Sequence, residues 1–364
     1  MSEKNVIHTK WMKRAIFLAS LGKNTTSPNP MVGAVILDKN GNLISEGFHH
    51  KAGLPHAEAM AFNNLKKDAK GGTIYVNLEP CCHQGKTPPC VDQIISSGIS
   101  KAYISIQDPD KRVSGKGIEL LREAGIQVHL GLCTNESLDL NKAFIHRNIT
   151  KKSFGVLKWA MSIDGRIGLK NGKSKWITSE ESRSLVHSLR AEFDAIIIGG
   201  NTLRKDNPLL TTRGEKNPEP LRVVFTKSLD LPSKSHLWDC NNAKTLVIYD
   251  SSTANQKFLS RIPQGVEVKK LSSDNPELIS KILAEKGCNK VLWECGPKLA
   301  TSAVKAGCIN EIISFIAPKI LGGENNMNPF GNFEFNEMHE IIKLSESQLS
   351  LIGDDICVKS SFKN

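Results

Sequence analysis

His56-Ala57-Glu58, then Pro80-Cys81 and then Cys90, constrain this chain more than any other feature. One imidazole and two thiolates can hold a zinc ion and leave its fourth position to water. The three residues are far apart in sequence, so the fold must bring three separate turns to one point. The surrounding pattern supplies those turns, because β-branched apolar runs alternate with segments of helical spacing. Val32 to Leu37, Leu43 to His49, Thr73 to Leu78, Lys101 to Ile106 and Gln127 to Gly131 read as strands. Trp11 to Leu21, His56 to Leu65, Val91 to Ser97 and Gly117 to Ala124 read as helices, and Asn40-Gly41 marks a hairpin. Both halves of the metal motif open helices just after strands, which is an α/β layer arrangement. Gly131 to Asn148 carries the chain out of this unit.

A polar junction, Thr150-Lys151-Lys152-Ser153, precedes a fresh strand from Phe154 to Met161. The boundary is therefore placed near 150, with domains at 1–148 and 152–364. At 364 residues two domains of ordinary size are expected. In the second, Ala195 to Ile198, Leu221 to Phe225, Thr245 to Tyr249, Val291 to Glu294, Glu311 to Ile316 and Ile356 to Ser360 read as strands. Ser182 to Glu192, Pro276 to Glu285 and Leu299 to Ala306 read as helices between them.

The net charge of +11 is compatible with nucleic acid, an acidic surface or phosphorylated metabolites. Lys and Arg are spread along the chain without a basic block, and aromatics are only 6%, so phosphorylated small molecules are favoured over nucleic acid. No apolar run is long enough to cross a bilayer, and residues 1–20 lack a signal-peptide core, so no membrane partner is expected. Nine scattered cysteines suggest free thiols and metal ligands in a reducing cytoplasm.

Glu58, two residues after His56, can move protons for an activated water without ligating the metal. The order H-x-E then P-C…C is the pattern of zinc nucleobase deaminases. Cys82 and His83 are adjacent and could coordinate, which would close the site and make the zinc structural. A deaminase of nucleic acid is the other rival, although it would want closer cysteines and a stacking surface. The string Leu78-Glu79-Pro80-Cys81-Cys82-His83-Gln84-Gly85-Lys86-Thr87-Pro88-Pro89-Cys90 resembles that of the bifunctional riboflavin-biosynthesis deaminase/reductase family, as do Pro28-Asn29-Pro30-Met31-Val32-Gly33 and Pro55-His56-Ala57-Glu58. Leu157 to Ile167, Ser174 to Thr178, Asp206 to Arg213 and Glu294 to Ala300 are similar to its reductase half.

That resemblance implies an amino-terminal cytidine-deaminase-like α/β/α layer and a carboxy-terminal mixed sheet similar to dihydrofolate reductase. It implies zinc on His56, Cys81 and Cys90, with Glu58 catalytic, and NADPH in the second half. The implied substrate is 2,5-diamino-6-ribosylamino-pyrimidinone 5′-phosphate, met by Asn29, His49 and Lys86, with His50 left as an alternative to its neighbour. Ala160, Ser174, Trp176, Thr202, Asp206 and Gly296, Pro297, Lys298, Leu299, Ala300, Thr301 and Ser302 fall where the cofactor lies. Lys227 is placed to meet a 2′-phosphate. Arg190, Leu210, Arg213 and Glu294 fall where the ribose phosphate lies, with Lys158 beside them. Lys158, Asp206 and Glu294 are candidate proton donors for the reduction. A homo-oligomer, dimer or tetramer, is also implied.

The residues alone say less about this half. G-x-G-x-x-G is missing after the first strand, so a standard Rossmann unit is unsupported. Gly199-Gly200 and Gly296-Pro297 each end a strand, and a glycine-opened helix start presents free N–H groups to a pyrophosphate.

Overall fold

The computed structural model describes residues 3–84, 88–324 and 326–363. It divides into two compact units that meet in sequence between Thr150 and Lys151.

In the first unit the elements run α1 (Glu3–Ser20), β1 (Gly33–Leu37), β2 (Leu43–Phe48), α2 (Ala57–Asn63), β3 (Thr73–Leu78), α3 (Cys90–Ser96), β4 (Lys101–Ile106), α4 (Lys116–Glu123), β5 (Gln127–Leu130) and α5 (Thr134–Thr150). The sheet has the order β2-β1-β3-β4-β5. β1 is antiparallel to β2 and β3, whereas β3, β4 and β5 run parallel. Both faces are buried, and alternation along each strand divides the side chains between two cores. Ala34, Ile36, Ile74, Val76 and Ile104 pack with Ala57, Ala61, Val91, Ile94 and Leu121 on one face. Val35, Leu37 and Tyr75 pack with Met12, Ala15 and Leu18 of α1 on the other. At Gly33 a Cβ would lie 2.1 Å from the Ala15 carbonyl oxygen, so only glycine lets β1 approach α1 this closely.

Two differences from the sequence reading matter. α1 starts at Glu3, well before Trp11, and the segment leading out of the unit is a helix of 17 residues, α5. The inward face of α5 is Ser137, Asn141 and Phe144. A face so polar carries no apolar stripe for periodicity to detect.

The second unit contains β6 (Phe154–Ser162), α6 (Glu180–Arg190), β7 (Ala195–Gly199), α7 (Gly200–Asp206), β8 (Leu221–Thr226), β9 (Thr245–Asp250), β10 (Glu267–Leu271), α8 (Pro276–Glu285), β11 (Lys290–Trp293), α9 (Pro297–Lys305), β12 (Glu311–Ala317), β13 (Leu344–Ile352) and β14 (Asp355–Phe362). The nine strands are ordered β10-β9-β8-β7-β11-β6-β12-β14-β13. All neighbours are parallel except β12 with β14 and β14 with β13, so the sheet is mixed, as expected. After running outward to β10 the chain returns and inserts β11 between β7 and β6, Trp293 pairing with both Ile197 and Leu157. Ligands of open α/β sheets lie beyond the carboxyl ends of strands where the order reverses. Here those ends are Gly199, Glu294 and the stretch from Ala160 to Ser162.

Candidate active sites

In the first unit, β2 feeds a loop that ends at His56, the residue before α2. His56 makes no side-chain capping bond, so its ring is free to face the strand ends. Cys81 follows β3, and Cys90 opens α3 behind Pro89. His56 Nδ1 lies 3.5 Å from Cys81 Sγ and 3.4 Å from Cys90 Sγ. All three ligand atoms lie within 4.8 Å of one another. Zn–S bonds of about 2.3 Å and a Zn–N bond of about 2.0 Å at tetrahedral angles put N and S about 3.5 Å apart and S and S about 3.8 Å apart. The donor set therefore fits zinc. Among the described residues no fourth His, Cys, Asp or Glu joins the group. Cys82 turns away and its thiol meets the Arg112 carbonyl at 3.8 Å.

The electrostatics suit a water-activating site. A hydrogen bond from Cys90, opposed by burial and helped by His56, pulls the Cys81 thiol well down. Cys90 moves well up for the converse reason, and Cys81 raises His56. Glu58, 3% exposed on the first turn of α2, is pushed up to about 7 by burial and then by the negative charge of Cys81. A carboxyl that titrates near neutrality can both accept and return a proton.

Beside the metal ligands the ring of His49 stands edge-on to His56, the centroids 5.4 Å apart. His49 Nδ1 meets the Pro55 carbonyl at 3.0 Å and must donate to it, which leaves Nε2 to accept from Asn29 Nδ2 at 3.1 Å. That lock orients the amide of Asn29. His49 is buried, whereas His50 is exposed and stacks on Phe48, so His49 is the inward histidine of the pair. Lys86 lies outside the described residues.

Sequence reasoning missed the groups that hold this site. Asn141 of α5 accepts from the Met31 amide at 2.8 Å and donates to its carbonyl at 2.9 Å. Asn77 of β3 accepts from Gly33 N and donates to Met31 O. The buried Glu79 carboxylate, two residues before Cys81, accepts from the amides of Asp108, Gly115 and Ile118. Glu79 stands in the motif string without a role assigned to it, and no motif marks Asn77 or Asn141, because the partners of all three lie 29 to 110 positions away.

In the second unit Glu294, just past β11, receives a bidentate pair from Arg190 of α6: Nε to Oε1 at 2.7 Å and Nη2 to Oε2 at 3.1 Å. Lys158 Nζ lies 3.7 Å from the same carboxylate. Burial would raise Glu294, but Arg190 and then Lys158 hold it down to about 2. Burial lowers Lys158, which sits on β6 beside Glu294, and the like charge of Arg190 acts in the same direction. Arg190 also donates to the Thr211 carbonyl at 3.2 Å, which ties the segment of Leu210 and Arg213 to this cluster. Leu210 as a whole is 2% exposed and packs inward, while Arg213 is exposed.

The residues expected at the cofactor divide into two kinds. Gly199 and Gly296 have φ of −85° and −72°, open to any residue. A Cβ at Gly296 would touch nothing within 4 Å, and one at Gly199 only Leu299 at 3.8 Å. No internal contact requires glycine at either place, and the space above the start of α9 is open. An unfilled cradle at a helix amino terminus fits a pyrophosphate, so the chain fits NADPH. Ala160 and Thr202 are half-buried near these ends, whereas Ser174 and Asp206 are exposed. Trp176 is also exposed, under the Arg183 guanidinium at 4.4 Å. Its segment is anchored by Lys319 Nζ, which donates to Ile177 O at 2.6 Å.

Other expected positions face inward or pair elsewhere. The Thr301 hydroxyl donates to Pro297 O and accepts from Gly331 N, and that of Ser302 donates to Lys298 O. Ala300 is buried in the core. Lys227 is paired with Asp274 at the end of β8. The helix start, with Lys298 and Leu299, is what remains open.

A deaminase-type zinc centre on an α/β/α layer, followed by a mixed-sheet reductase unit, defines a two-domain zinc- and nicotinamide-dependent enzyme. Residues 6–106 match the model of the cytidine and deoxycytidylate deaminase zinc-binding region, and residues 153–358 match that of the RibD C-terminal domain. The chain is 43% identical to the riboflavin biosynthesis protein RibD of Synechocystis sp. over 94% of its length and 93% of that protein's. It is 39% identical to the RibD of Aquifex aeolicus over 97% and 98%. A structure of Acinetobacter baumannii RibD superposes with a TM-score of 0.89 at 32% identity, covering 99% of this chain and 100% of that one. A Thermotoga maritima structure described as a diaminohydroxyphosphoribosylaminopyrimidine deaminase/5-amino-6-(5-phosphoribosylamino)uracil reductase gives 0.87 at 34%, with the same coverage. The chain belongs to the RibD family of bifunctional riboflavin-biosynthesis deaminase/reductases. Its cofactors are Zn2+ and NADPH.

Proposed function

We propose that this chain deaminates 2,5-diamino-6-ribosylamino-pyrimidinone 5′-phosphate and then reduces the ribosyl group of the product to give 5-amino-6-(5-phosphoribitylamino)uracil. The observation that carries the reading is the convergence of His56, Cys81 and Cys90 beside the buried, near-neutral Glu58. Zinc held there supplies Lewis acidity that makes water a nucleophile at neutral pH. Glu58 takes the proton of that water, delivers it to the ring nitrogen as the carbon–oxygen bond forms, and carries a second proton to the departing ammonia. Asn29, oriented by His49, hydrogen-bonds the pyrimidine edge, and Lys86 meets the phosphate.

In the second unit NADPH supplies the hydride. The helix start at Gly296 receives its pyrophosphate, with Ala160, Ser174, Trp176, Thr202 and Asp206 along its path and Lys227 toward the 2′-phosphate. Arg213 meets the substrate phosphate, while Arg190, already bidentate on Glu294, holds the Thr211 carbonyl and so the segment of Leu210 and Arg213. Lys158, at the middle of β6 and 3.7 Å from the Glu294 carboxylate, is the proton donor for the reduction at C1′. The domains assigned to the two activities are residues 1–148 and 152–364.

A cytoplasmic homo-oligomer completes the reading. Its support is nine free cysteines and an edge strand, β13, whose Leu349 and Leu351 are 72% and 76% exposed. Among the described residues no helix is long and apolar enough to cross a membrane.

The test supplies the diaminopyrimidine ribosyl phosphate to the protein and follows ammonia release and NADPH oxidation separately. Glu58→Ala is expected to abolish ammonia release and to leave reduction of supplied deaminated substrate intact. Survival of ammonia release in that variant would refute the assignment.

A further inference from the structure

Between α7 and β8 three non-glycine residues, Asn207, Leu210 and Arg213, have φ of 40°, 53° and 57°. Left-handed backbone costs an ordinary residue on the order of 1 kcal/mol, so three within seven positions require external restraint. The restraint at one end is Asn207, whose side-chain oxygen accepts from Ser235 Oγ at 2.8 Å and His236 N at 3.0 Å. In the middle it is Arg190, through the Thr211 carbonyl. At the Arg213 end it is one carboxylate. Glu219 accepts from Thr212 N at 2.7 Å, Thr212 Oγ1 at 2.9 Å and Gly214 N at 3.3 Å, and so grips both residues that flank Arg213. Thr212 is fully buried under the turn, and its hydroxyl also accepts from Lys216 N at 3.1 Å. Arg213 itself is exposed, so its guanidinium is aimed only by its backbone.

We propose that Glu219 is a positioning residue of the reductase: it touches neither substrate nor cofactor, but sets the 212–214 turn in the conformation that presents Arg213 to the substrate phosphate. The inference rests on the reading of Arg213 as a phosphate ligand. Geometry favours a carboxylate here, because one group with two oxygens must accept from two amides and a hydroxyl on a turn that cannot satisfy them internally. A glutamine keeps only one accepting oxygen and turns a donor toward the others. With the turn released, Arg213 can leave its left-handed conformation and its side chain no longer points to one place.

Full-length Glu219→Ala, Glu219→Gln, Arg213→Ala and the Glu219→Ala/Arg213→Ala pair are assayed for reduction of supplied deaminated substrate, with ammonia release measured on the same preparations. For Glu219→Ala the expected change is a rise of about tenfold in KM for the ribosyl phosphate, the scale of one lost charged hydrogen bond. Its kcat, its KM for NADPH and its ammonia release should stay within about twofold, and Glu219→Gln should fall between it and the parent. The double variant should be no worse than Arg213→Ala alone, because a residue that acts through another adds nothing once the other is gone. Thr212→Val breaks the same clamp from the other side, and should reproduce the KM change if Glu219→Ala fails to fold. Multiplicative effects in the double variant, or a fall in kcat at constant KM, would overturn the proposal. If Arg213→Ala leaves KM unchanged, the phosphate reading fails. If Arg213→Ala raises KM and both Glu219→Ala and Thr212→Val are silent, the positioning role alone fails.

Discussion

Replacing Glu294 by glutamine removes the only acid in the Arg190–Glu294–Lys158 cluster, and its cost can be worked out in two ways. The carboxyl is held at about 2 in the folded chain against an ordinary value of 4.5. At about 1.4 kcal/mol per pH unit, that difference corresponds to about 3 kcal/mol of folded-state stability at neutral pH. Removing one partner from a buried ion pair costs about 3–5 kcal/mol in general, and here the side chains of Arg190 and Glu294 are each 11% exposed. The two figures agree. Because the folded value is depressed, the contribution is complete above pH 4.5 and disappears as pH falls toward 2. The gap between parent and Glu294→Gln, about 3 kcal/mol at pH 7, should therefore shrink to about half at pH 3. Urea unfolding followed by tryptophan fluorescence measures it, since Trp159, Trp176, Trp238 and Trp293 all belong to the second unit and only Trp11 to the first. A gap below about 1 kcal/mol at pH 7, or one that does not change with pH, would refute the reasoning.

Cys90→Ala leaves an imidazole and one thiolate. The purified variant should retain less than a tenth of the parent's zinc by elemental analysis and lose ammonia release, while NADPH-dependent reduction persists. Full zinc occupancy would refute the ligand set. Gly296→Val should raise KM for NADPH by more than tenfold at an unchanged unfolding midpoint, since the new side chain meets open space and φ of −72° tolerates it. Equal affinity for NADPH would show that the cradle is not the pyrophosphate site.

Both sheets were legible where strands are buried on two faces, because runs such as Ala195 to Ile198 are continuous and β-branched. The edge strand β13 was not. Its residues Leu344 to Ile352 mix leucine with Ser, Glu and Gln, and almost all of them are exposed, so no face repeats. Strand β10 is hidden in the same way, since only Leu271 of its five residues is buried. The metal-site residues were legible because zinc demands specific side chains at characteristic spacing. Helix α9 was legible as an element, but not which of its side chains are free: Thr301 and Ser302 belong to the matching stretch, yet their hydroxyls bond within the protein. Glu219, Asn141 and Lys319 had no signature, because each acts on backbone groups, which any sequence supplies.

Helix α5 also bears on how this family can be cut and recombined. The deaminase model ends at residue 106, and a segment ending there would contain every zinc ligand and Glu58. It would lack Asn141, which secures both polar groups of Met31 and so the loop that carries Asn29. The portable module is therefore longer than the motif that advertises it. A split protein or chimera joined at 106 would lose both Asn141 and the three amides that hold Glu79 beside Cys81, whereas one joined at 150 would keep them.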